Sequence, residues 1–594
     1  MARRVVIPLL GLVVLLLAPV SSRAAEQQAY AAGLSYATPA VAATSGDTLR
    51  FTNLDSVAQH DLDSDTPGLF DSALIPAGKS ELVPGVEKLP PGQYAFHCSL
   101  HSWMHGVMTI AAGGGGGAPS PPPPPGAPGG GGGAPPNPVD LMPKVQPKPL
   151  GKGEWPFYGK DVSNSRDGGS SGPSYNEVPT LGPVWSFASS DGDFTGTPVV
   201  AGGKLVAASG GGSVFALDAA GGKKLWAKDL NAPINGTAAI AGRRVYVPVA
   251  TPGAPSVAAF DLSTGALLWR TRVDSQKNSD VFGSPVVSAM KRPGACRRRA
   301  YAKKHRARCR AASTLFIGTS AEYGEVNDPD VNVRGSVVAL DATTGRIRWK
   351  TYTVPPKHDG GSVWNTPAID PAAGRLYVGT GNAYHKPAAD TTDAVLALDA
   401  RTGRLVGRRQ ATAGDVWNGT EGRANGPDYD FGASLNLIQR GDGRKLVGAG
   451  QKSGTYWAFD RRTLNPVWSA MTGPAGPAVG GIVGSTASDG RRVYGPDTPA
   501  GEIWALDLAG NPAWVSSDGG PLHFSPVSVA NGVVYSTDMS THLTARDATT
   551  GAVLAKLPLG APSWGGVAIA GGSVFAVTGT QGSGGYVVAY RPRG

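Results

Sequence analysis

Four side chains near the start of the chain are of the types that bind copper in proteins. They are His60, Cys98, His101 and Met104. A blue copper centre needs two imidazoles and one thiolate in a trigonal plane, with a weak thioether on the axis. Cys98, His101 and Met104 can all be presented by one tight loop, while His60 comes from another segment. The sequence therefore predicts a copper site for one-electron transfer, because four protein ligands leave no open position for a substrate.

Residues 26–112 must position these ligands. Short runs of alternating apolar and polar residues are separated there by Pro/Gly turns, which is typical of a small β-sandwich. The Cys-x-x-His-x-x-Met spacing of Cys98, His101 and Met104 resembles the ligand loop of the amicyanin branch of the cupredoxins. The resemblance implies a cupredoxin domain over residues 26–112 that binds type 1 copper. A cupredoxin fold without metal is the alternative.

The first residues have the anatomy of an export signal. A short basic start is followed by an apolar run over residues 5–17 and by small residues around Ala24. The run is shorter than a membrane-spanning helix requires. We expect residues 1–24 to be a signal peptide and the protein to be secreted, periplasmic or in the cell envelope, without a transmembrane segment. An uncleaved N-terminal anchor is the alternative.

The formal net charge of +10 is concentrated in two places. Ten Lys and Arg residues and no acidic residue lie within 291–310, and Arg3, Arg4 and Arg23 lie in the leader. Without these, the chain has 41 basic and 44 acidic residues. A generally basic fold that binds nucleic acid is therefore excluded.

The three cysteines divide into two groups. Cys98 is assigned to copper, whereas Cys296 and Cys309 bracket 12 residues of the basic segment and can form a disulfide in an oxidising compartment. The basic loop 291–310 is either a solvated surface loop or a patch that contacts an anionic surface. No Cys-x-x-Cys-His motif occurs, so covalently attached haem c is not expected.

The rest of the chain consists of a linker and a large repeat block. Residues 113–152 are rich in Gly and Pro and predict a disordered linker. Residues 153–594 contain eight copies of a pattern with Ala-x-Asp before a Thr-Gly turn and often a Trp. Units of this length predict four-stranded blades, and eight of them predict a β-propeller. Residues 182–187 are predicted to complete the last blade, and the repeated Trp side chains to pack one blade on the next. The fold class is thus all-β, with a small sandwich and an eight-bladed propeller.

Several segments of the large block resemble those that surround pyrroloquinoline quinone (PQQ) in quinoprotein alcohol dehydrogenases. They contain Glu322, Trp364, Asn382, Asp415, Lys452, Trp564 and Gly565. Residues 155–166, 426–434 and 449–454 are similar to the polyvinyl-alcohol dehydrogenase branch. Unlike many members, the chain has no adjacent pair of cysteines, and Asn418 replaces a second acidic residue.

The resemblance implies a role for each residue. Glu322, Asn382 and Asp415 would bind Ca²⁺, which prefers oxygen ligands. Asp415 would also accept the alcohol proton, and Lys452 would stabilise the developing quinol oxygen. The cofactor would contact Trp364, Lys452, Trp564 and Gly565, with the Trp364 ring stacked on it.

Together these features predict a secreted oxidoreductase. It would oxidise alcohol groups of a small or polymeric substrate with PQQ and Ca²⁺, and pass electrons through the tethered copper to an external redox partner. Two alternatives remain: a PQQ-like propeller that acts only as a binding scaffold, and a quinoprotein sugar dehydrogenase.

Overall fold

The computed structural model describes residues 25–594 apart from several gaps. The gaps are 33–34, 37–39, 54–58, 77–78, 101–103, 113–136, 143–147, 190, 290–298, 305–312, 419–425, 476–479, 518–521 and 581–583. The predicted leader 1–24 lies outside the described residues, as do His101, Cys296 and Cys309. Of the basic segment, only the helix α1 (Arg299–Lys304) is described.

The N-terminal part contains two four-stranded sheets. Its strands are β1 (Glu26–Ala32), β2 (Ser35–Tyr36), β3 (Ala40–Thr44), β4 (Thr48–Asn53), β5 (Asp63–Ser64), β6 (Ser80–Leu82), β7 (Gly92–His97) and β8 (His105–Ala111). The strand orders are β2-β1-β4-β6 and β3-β8-β7-β5. Leu49, Phe51 and Phe96 are fully buried in the core of this part, because alternate residues of each strand face inward.

The remainder forms eight four-stranded antiparallel sheets. The first four consist of β10 (Val199–Ala201), β11 (Lys204–Ala208), β12 (Ser213–Asp218), β13 (Lys224–Asp229); β14 (Ala239–Ala241), β15 (Arg244–Val249), β16 (Ser256–Asp261), β17 (Leu267–Arg272); β18 (Val286–Ala289), β19 (Ser313–Thr319), β20 (Ser336–Asp341), β21 (Ile347–Tyr352); and β22 (Ala368–Asp370), β23 (Arg375–Gly379), β24 (Ala394–Asp399), β25 (Leu405–Gln410).

The next three consist of β26 (Asn436–Gln439), β27 (Lys445–Gly450), β28 (Thr455–Asp460), β29 (Pro466–Met471); β30 (Ala487–Ser488), β31 (Arg492–Asp497), β32 (Glu502–Asp507), β33 (Pro512–Ser517); and β34 (Ser528–Ala530), β35 (Val533–Thr537), β36 (His542–Asp547), β37 (Val553–Pro558). The eighth consists of β38 (Ala568–Ala570), β39 (Ser573–Val577), β40 (Tyr586–Pro592) and the early strand β9 (Leu181–Ala188). The pairing of β9 with β40 confirms the prediction for residues 182–187.

Few helices interrupt the strands. The helix α2 (Glu322–Asn327) follows β19. Short 3-10 turns occur at Val86–Lys88, Pro138–Asp140, Gly169–Ser171 and Tyr175–Thr180.

The first strands of the sheets form a closed ring. First strands of successive sheets contact one another, and β10 of the first sheet contacts β38 of the last. Between β18 and β22 the link is a shared core that contains Val286 and Ile369. Two residues before these strands, hydroxyl groups link the sheets: Thr237 Oγ1 accepts from the Thr197 backbone N–H at 2.8 Å, and Ser284 Oγ accepts from the Thr237 N–H at 2.9 Å. The series continues through Thr366, Ser434 and Ser485. This is the arrangement of a β-propeller.

The repeated turn and tryptophan explain how the sheets pack together. Asp261 accepts hydrogen bonds from the backbone N–H groups of Ser263 and Thr264, which holds the Thr-Gly turn. The indole N–H of Trp226 donates to the Leu262 carbonyl of the next sheet at 3.0 Å. Equivalent bonds come from Trp185, Trp468 and Trp514. The predicted packing role of the repeated Trp side chains is confirmed at these positions.

The segment before β9 lies against one end of the ring. Carbonyl groups of this segment accept hydrogen bonds from backbone N–H groups of several sheets. Among the donors are Ile240, Ile369, Leu437, Ser488 and Val529. Arg166 is fully buried there and donates to the Val527 carbonyl at 2.6 Å and to Ser528 Oγ at 3.0 Å. In the seventh and eighth sheets, Pro526 and Gly566 stand where the other sheets have the linking Thr or Ser. Arg166 lies at this part of the ring, where those hydroxyl groups are missing.

The predicted linker ends earlier than expected. Asn137 Oδ1 accepts from Ser186 Oγ at 2.6 Å, and the Gly151 N–H donates to the Gly571 carbonyl at 2.7 Å. Residues 137–142 and 148–152 therefore contact the ring, whereas composition alone had assigned them to the disordered linker. Val139 and Met142 supply side chains that a Gly/Pro run lacks, and Met142 packs against the core of the ring.

Candidate functional site

A cavity of about 280 Å³ lies where the segments before the first strands converge. Each of the eight sheets contributes the residue that stands four positions before its first strand. These residues are Thr195, Asn235, Phe282, Trp364, Gly432, Val483, Phe524 and Trp564. The repeat therefore places one position per sheet around a common cavity. Counting back from each predicted first strand would have found this position in the sequence.

Trp364 forms part of the cavity wall and is held on two sides. Its indole N–H donates to Asp430 Oδ2 at 3.0 Å. On another side it lies against the backbone of Gly432, where an added Cβ would be 1.9 Å from Trp364 Cη2. Both contacts fix the plane of the indole, so that a planar ligand could stack on it.

Lys452 lies in the cavity wall beside this ring. Its ammonium is 5.3 Å from the centre of the Trp364 ring, and it pairs with Asp428 at 2.9 Å and with Asp430 at 3.5 Å. Burial lowers the pKa of Lys452, but Asp428 and Asp430 outweigh it, so that the pKa lies above the ordinary value. The group therefore remains a cation and can stabilise a developing negative charge.

The helix α2 brings two carboxylates into the cavity. Glu322 and Glu325 both line it, since residues three apart on a helix lie on the same face. The start of the helix is held by Asp280, which is 1 % exposed and accepts from the Tyr323 N–H at 3.0 Å and from Ser320 Oγ. Burial, followed by the Asp280 charge, raises the pKa of Glu322 well above its ordinary value.

Asn382 follows β23 next to α2. Ser362 lies between the two segments: its hydroxyl accepts from the Ala321 N–H at 3.2 Å, and its carbonyl accepts from the Gly381 N–H at 2.9 Å. The amide N–H groups of Asn382 donate to the Ala383 and Trp417 carbonyls. Its Oδ1 is therefore directed away from these carbonyls and has no hydrogen-bond partner.

Buried oxygens that lack a hydrogen-bond partner indicate that the site fits a cation. Such atoms are Glu322 Oε1, Glu325 Oε1 and Asn382 Oδ1. A buried carboxylate or amide oxygen without a donor is costly, and a hard cation such as Ca²⁺ would satisfy all three. Within the described ranges, no group of three or more His, Cys, Asp and Glu side chains is arranged to hold a metal ion by itself.

Asp415, predicted to bind Ca²⁺ and to accept the proton, does not line the cavity itself, and neither do Asn382 and Asp430. The Asp415 carboxylate accepts from the Tyr429 N–H at 2.8 Å and from the Asp428 N–H at 3.4 Å. Burial is the main reason that its pKa is raised. These contacts hold the segment that carries Asp430.

Asp430, which the sequence analysis did not select, contacts two residues of the cavity wall. Oδ1 accepts from the Asn382 N–H at 2.8 Å, and Oδ2 contacts the indole of Trp364 and the ammonium of Lys452. The available signal is its position two residues before the cavity-lining Gly432, the place that Asp193 and Asp280 occupy in other sheets.

Trp564 and Gly565, the other predicted cofactor contacts, lie on the wall formed by the eighth sheet. Trp564 lines the cavity and packs against Phe524, with ring centres 5.3 Å apart. Its indole nitrogen is buried and has no hydrogen-bond partner. The Gly565 carbonyl accepts from Thr537 Oγ1 at 2.8 Å, so that Gly565 helps to shape this wall.

The cavity fits a planar, polar cofactor. It combines indole rings of Trp364 and Trp564 with the Lys452 cation and the unpartnered oxygens beside α2. Of the predicted site residues, Glu322, Trp364, Lys452 and Trp564 line the cavity. Asn382 lies behind the wall and donates to the carbonyl of the lining residue Trp417. The roles predicted for Asn382 and Asp415 stay predictions.

The described copper-ligand candidates lie close together in the N-terminal part. His60 and Cys98 are fully buried and Met104 is 2 % exposed. Cys98 Sγ lies 3.8 Å from His60 Nδ1, and the Cys98 N–H donates to the Met104 carbonyl at 3.1 Å, which brings these two residues together after β7. His101, the fourth predicted ligand, lies outside the described residues. The donor types fit copper, and the prediction of a type 1 centre stays a prediction.

The disulfide and basic-loop predictions concern residues that the structure does not describe. Cys296, Cys309 and all of 291–310 except α1 fall in gaps. In the described part of the chain, no helix is long and apolar enough to cross a membrane.

Comparison with known proteins gives the family of the large repeat block. The model of the glucose/ethanol/alcohol dehydrogenase β-propeller domain matches residues 155–488, more than half of the chain. A polyvinylalcohol dehydrogenase from Pseudomonas sp. is 28 % identical over 480 residues, which are 70 % of this chain and 71 % of that protein. Quinohemoprotein alcohol dehydrogenase ADH IIB from Pseudomonas putida is 28 % identical over 360 residues, 52 % of this chain and 46 % of that protein.

A solved structure has the same fold. Quinohemoprotein alcohol dehydrogenase from Comamonas testosteroni superimposes with a TM-score of 0.59 at 19 % identity, over 74 % of this chain and 80 % of that chain. Together with the residues matched by the family model, this leads to one conclusion: the chain belongs to the β-propeller family of glucose, ethanol and alcohol dehydrogenases.

Proposed function

We propose that this protein is a quinoprotein dehydrogenase that oxidises alcohol groups with PQQ and Ca²⁺ bound in the ring cavity. The observation that carries the proposal is the grouping of Trp364, Lys452 and Asp430 beside the unpartnered oxygens of Glu322 and Asn382. Trp364 would support the ring of the cofactor, and Glu322 and Asn382 would hold the cation. PQQ and Ca²⁺ together supply a two-electron acceptor whose carbonyl is polarised by a Lewis acid.

The residues of this chain would perform the proton chemistry. Asp430 would accept the proton of the alcohol hydroxyl, because its Oδ2 lies at the edge of the Trp364 ring beside the Lys452 ammonium. Lys452 would donate hydrogen bonds to the cofactor oxygens on which negative charge develops. Asp428 shares the Lys452 ammonium and would keep it oriented when Asp430 changes its protonation state.

Dye-linked oxidation tests this function. Purified protein is incubated with PQQ and Ca²⁺ and supplied with primary and secondary alcohols, polyvinyl alcohol or glucose, and reduction of an artificial electron acceptor is followed. We expect alcohol-dependent reduction that disappears when Ca²⁺ is chelated. Activity with glucose alone would favour a sugar dehydrogenase, and PQQ binding without turnover would favour a binding scaffold. The similarity to a polyvinylalcohol dehydrogenase supports an alcohol, including a hydroxylated polymer, as the substrate.

Gly432→Ala tests the role of Trp364 in this cavity. The added Cβ would overlap the Trp364 ring and displace it, and overpacking of this kind costs about 1–3 kcal/mol. We therefore expect the Kd for PQQ, measured by quenching of tryptophan fluorescence, to rise by about 5- to 150-fold. Gly441→Ala is the control, because nothing lies within 4 Å of its added Cβ. An unchanged Kd in Gly432→Ala would argue against stacking on Trp364.

The N-terminal part would add an electron carrier to the dehydrogenase. We infer that residues 26–112 form a cupredoxin whose copper is held by His60, Cys98, His101 and Met104, after export directed by residues 1–24. The copper would supply one-electron transfer to an external redox partner.

Eight sheets in a closed ring support an eight-bladed propeller for residues 153–594.

Cys98→Ser tests the copper site. Protein loaded with Cu²⁺ is expected to show the intense visible absorption of a thiolate–copper bond, which Cys98→Ser abolishes because the thiolate is gone. Alcohol added with PQQ and Ca²⁺ should bleach that absorption in the unaltered protein, and His105→Gln should behave like it. A Cu²⁺-loaded protein without this band would contradict the type 1 assignment, and a band that alcohol does not bleach would contradict the electron relay.

A further inference from the structure

We propose that Glu325 is the third protein ligand of the cation, beside Glu322 and Asn382, in the place that the sequence assigned to Asp415. The inference rests on the proposed function only in that both invoke a cation in this cavity. It concerns a residue that the comparison with dehydrogenase segments did not select.

The position of Glu325 follows from α2. Glu322 opens the helix and Glu325 comes three residues later, so both side chains leave the same face. Both line the cavity, and Glu325 is 4 % exposed. Its backbone N–H donates to the Ala321 carbonyl at 2.7 Å, which fixes the helical turn that brings the two carboxylates together.

The ligand atoms are identified as buried side-chain oxygens that lack a hydrogen-bond donor. Glu322 Oε1, Glu325 Oε1 and Asn382 Oδ1 are all buried and lack a hydrogen-bond partner. Two neighbouring carboxylates repel each other in a poorly hydrated cavity, and a shared cation removes that repulsion.

The other nearby carboxylates already have donors. Asp430 accepts from the Asn382 N–H and the Trp364 indole and contacts Lys452. Asp415 accepts two backbone N–H groups. Neither needs a metal ion to be satisfied, so the third oxygen ligand comes from Glu325.

The charges agree with a divalent ion. Glu322 and Glu325 contribute two negative charges, and Asn382 contributes a neutral oxygen. The ion pairs of Lys452 are with Asp428 at 2.9 Å and Asp430 at 3.5 Å.

Direct Ca²⁺ binding, measured by calorimetry on metal-free protein without and with PQQ, tests this assignment. We expect Glu325→Gln to weaken Ca²⁺ binding by about 10- to 100-fold, at least the loss typical of groups that support a metal site. Glu325→Asp should retain part of the affinity. Asp393→Asn is the matched control, because Asp393 is also buried and without hydrogen-bond partners on both oxygens, but does not line the cavity.

The outcomes separate this inference from the proposed function. Wild-type affinity in Glu325→Gln, together with lost affinity in Glu322→Gln, would overturn it. Failure of the unaltered protein to bind Ca²⁺ in either condition would overturn it as well. Specific Ca²⁺ loss in Glu325→Gln would support it even if no alcohol were oxidised, in which case only the proposed function would fail. Circular dichroism of each variant shows whether the fold is retained.

Discussion

Replacement of Asp430 by asparagine is expected to lower kcat for alcohol oxidation by about 10²- to 10⁴-fold, the usual contribution of a general base. Asparagine retains the size of the side chain and can still accept from the Asn382 N–H, but it cannot take up a proton. Steady-state dye reduction with PQQ and Ca²⁺ measures the effect. Binding of PQQ should change much less than kcat.

Asp415→Asn is the matched control for this experiment. Its oxygens accept backbone N–H groups, and asparagine can retain one of these bonds. We expect kcat close to that of the unaltered protein. A large loss in Asp415→Asn with little loss in Asp430→Asn would reverse the assignment and restore the expectation drawn from the sequence.

Replacement of Lys452 by methionine is expected to lower the free energy of unfolding by about 3–5 kcal/mol, the cost of removing one partner of a buried ion pair. Lys452 is 6 % exposed, and its loss leaves the buried carboxylates of Asp428 and Asp430 without their cation. Methionine fills a similar volume, so that the effect reports the charge. Chemical denaturation without added cofactor measures it.

Lys277→Met provides the comparison for stability. Lys277 pairs with Asp328 at 2.9 Å, but its side chain is 83 % exposed. A solvent-exposed pair of this kind contributes about 0–1 kcal/mol. Equal losses in the two variants would show that Lys452 is not the central cation of a buried network. Asp428→Asn combined with Lys452→Met should recover part of the lost stability.

The ring could be predicted from the sequence because its repeat has a physical basis. The Asp side chain of a unit accepts hydrogen bonds from backbone N–H groups and so holds the turn, and the Trp indole donates a hydrogen bond to the next sheet. Because each unit needs these two contacts, Asp and Trp recur along the sequence. The early strand β9 was also predictable, because its Gly-Pro-Val-Trp-Ser-Phe run lacks partners elsewhere and pairs with β40.

Asp430 and Glu325 could not be predicted as site residues by the same means. The sequence motif Gly-Asp-x-Trp drew attention to Asp415, and only the fold shows that its carboxylate is used by the backbone of the segment before Asp430. Glu325 lies on a short helix between β19 and β20, outside the repeat, so that no periodic signal places it in the cavity. Contacts between distant segments decide both cases.

Direct binding of PQQ tests the central claim most simply. Metal-free protein is titrated with PQQ in the presence of Ca²⁺, and quenching of tryptophan fluorescence is followed, since Trp364, Trp417 and Trp564 line the cavity. We predict saturable binding of one PQQ per chain, with affinity reduced in Gly432→Ala and lost when Ca²⁺ is chelated. Absence of saturable binding in the unaltered, folded protein would contradict it.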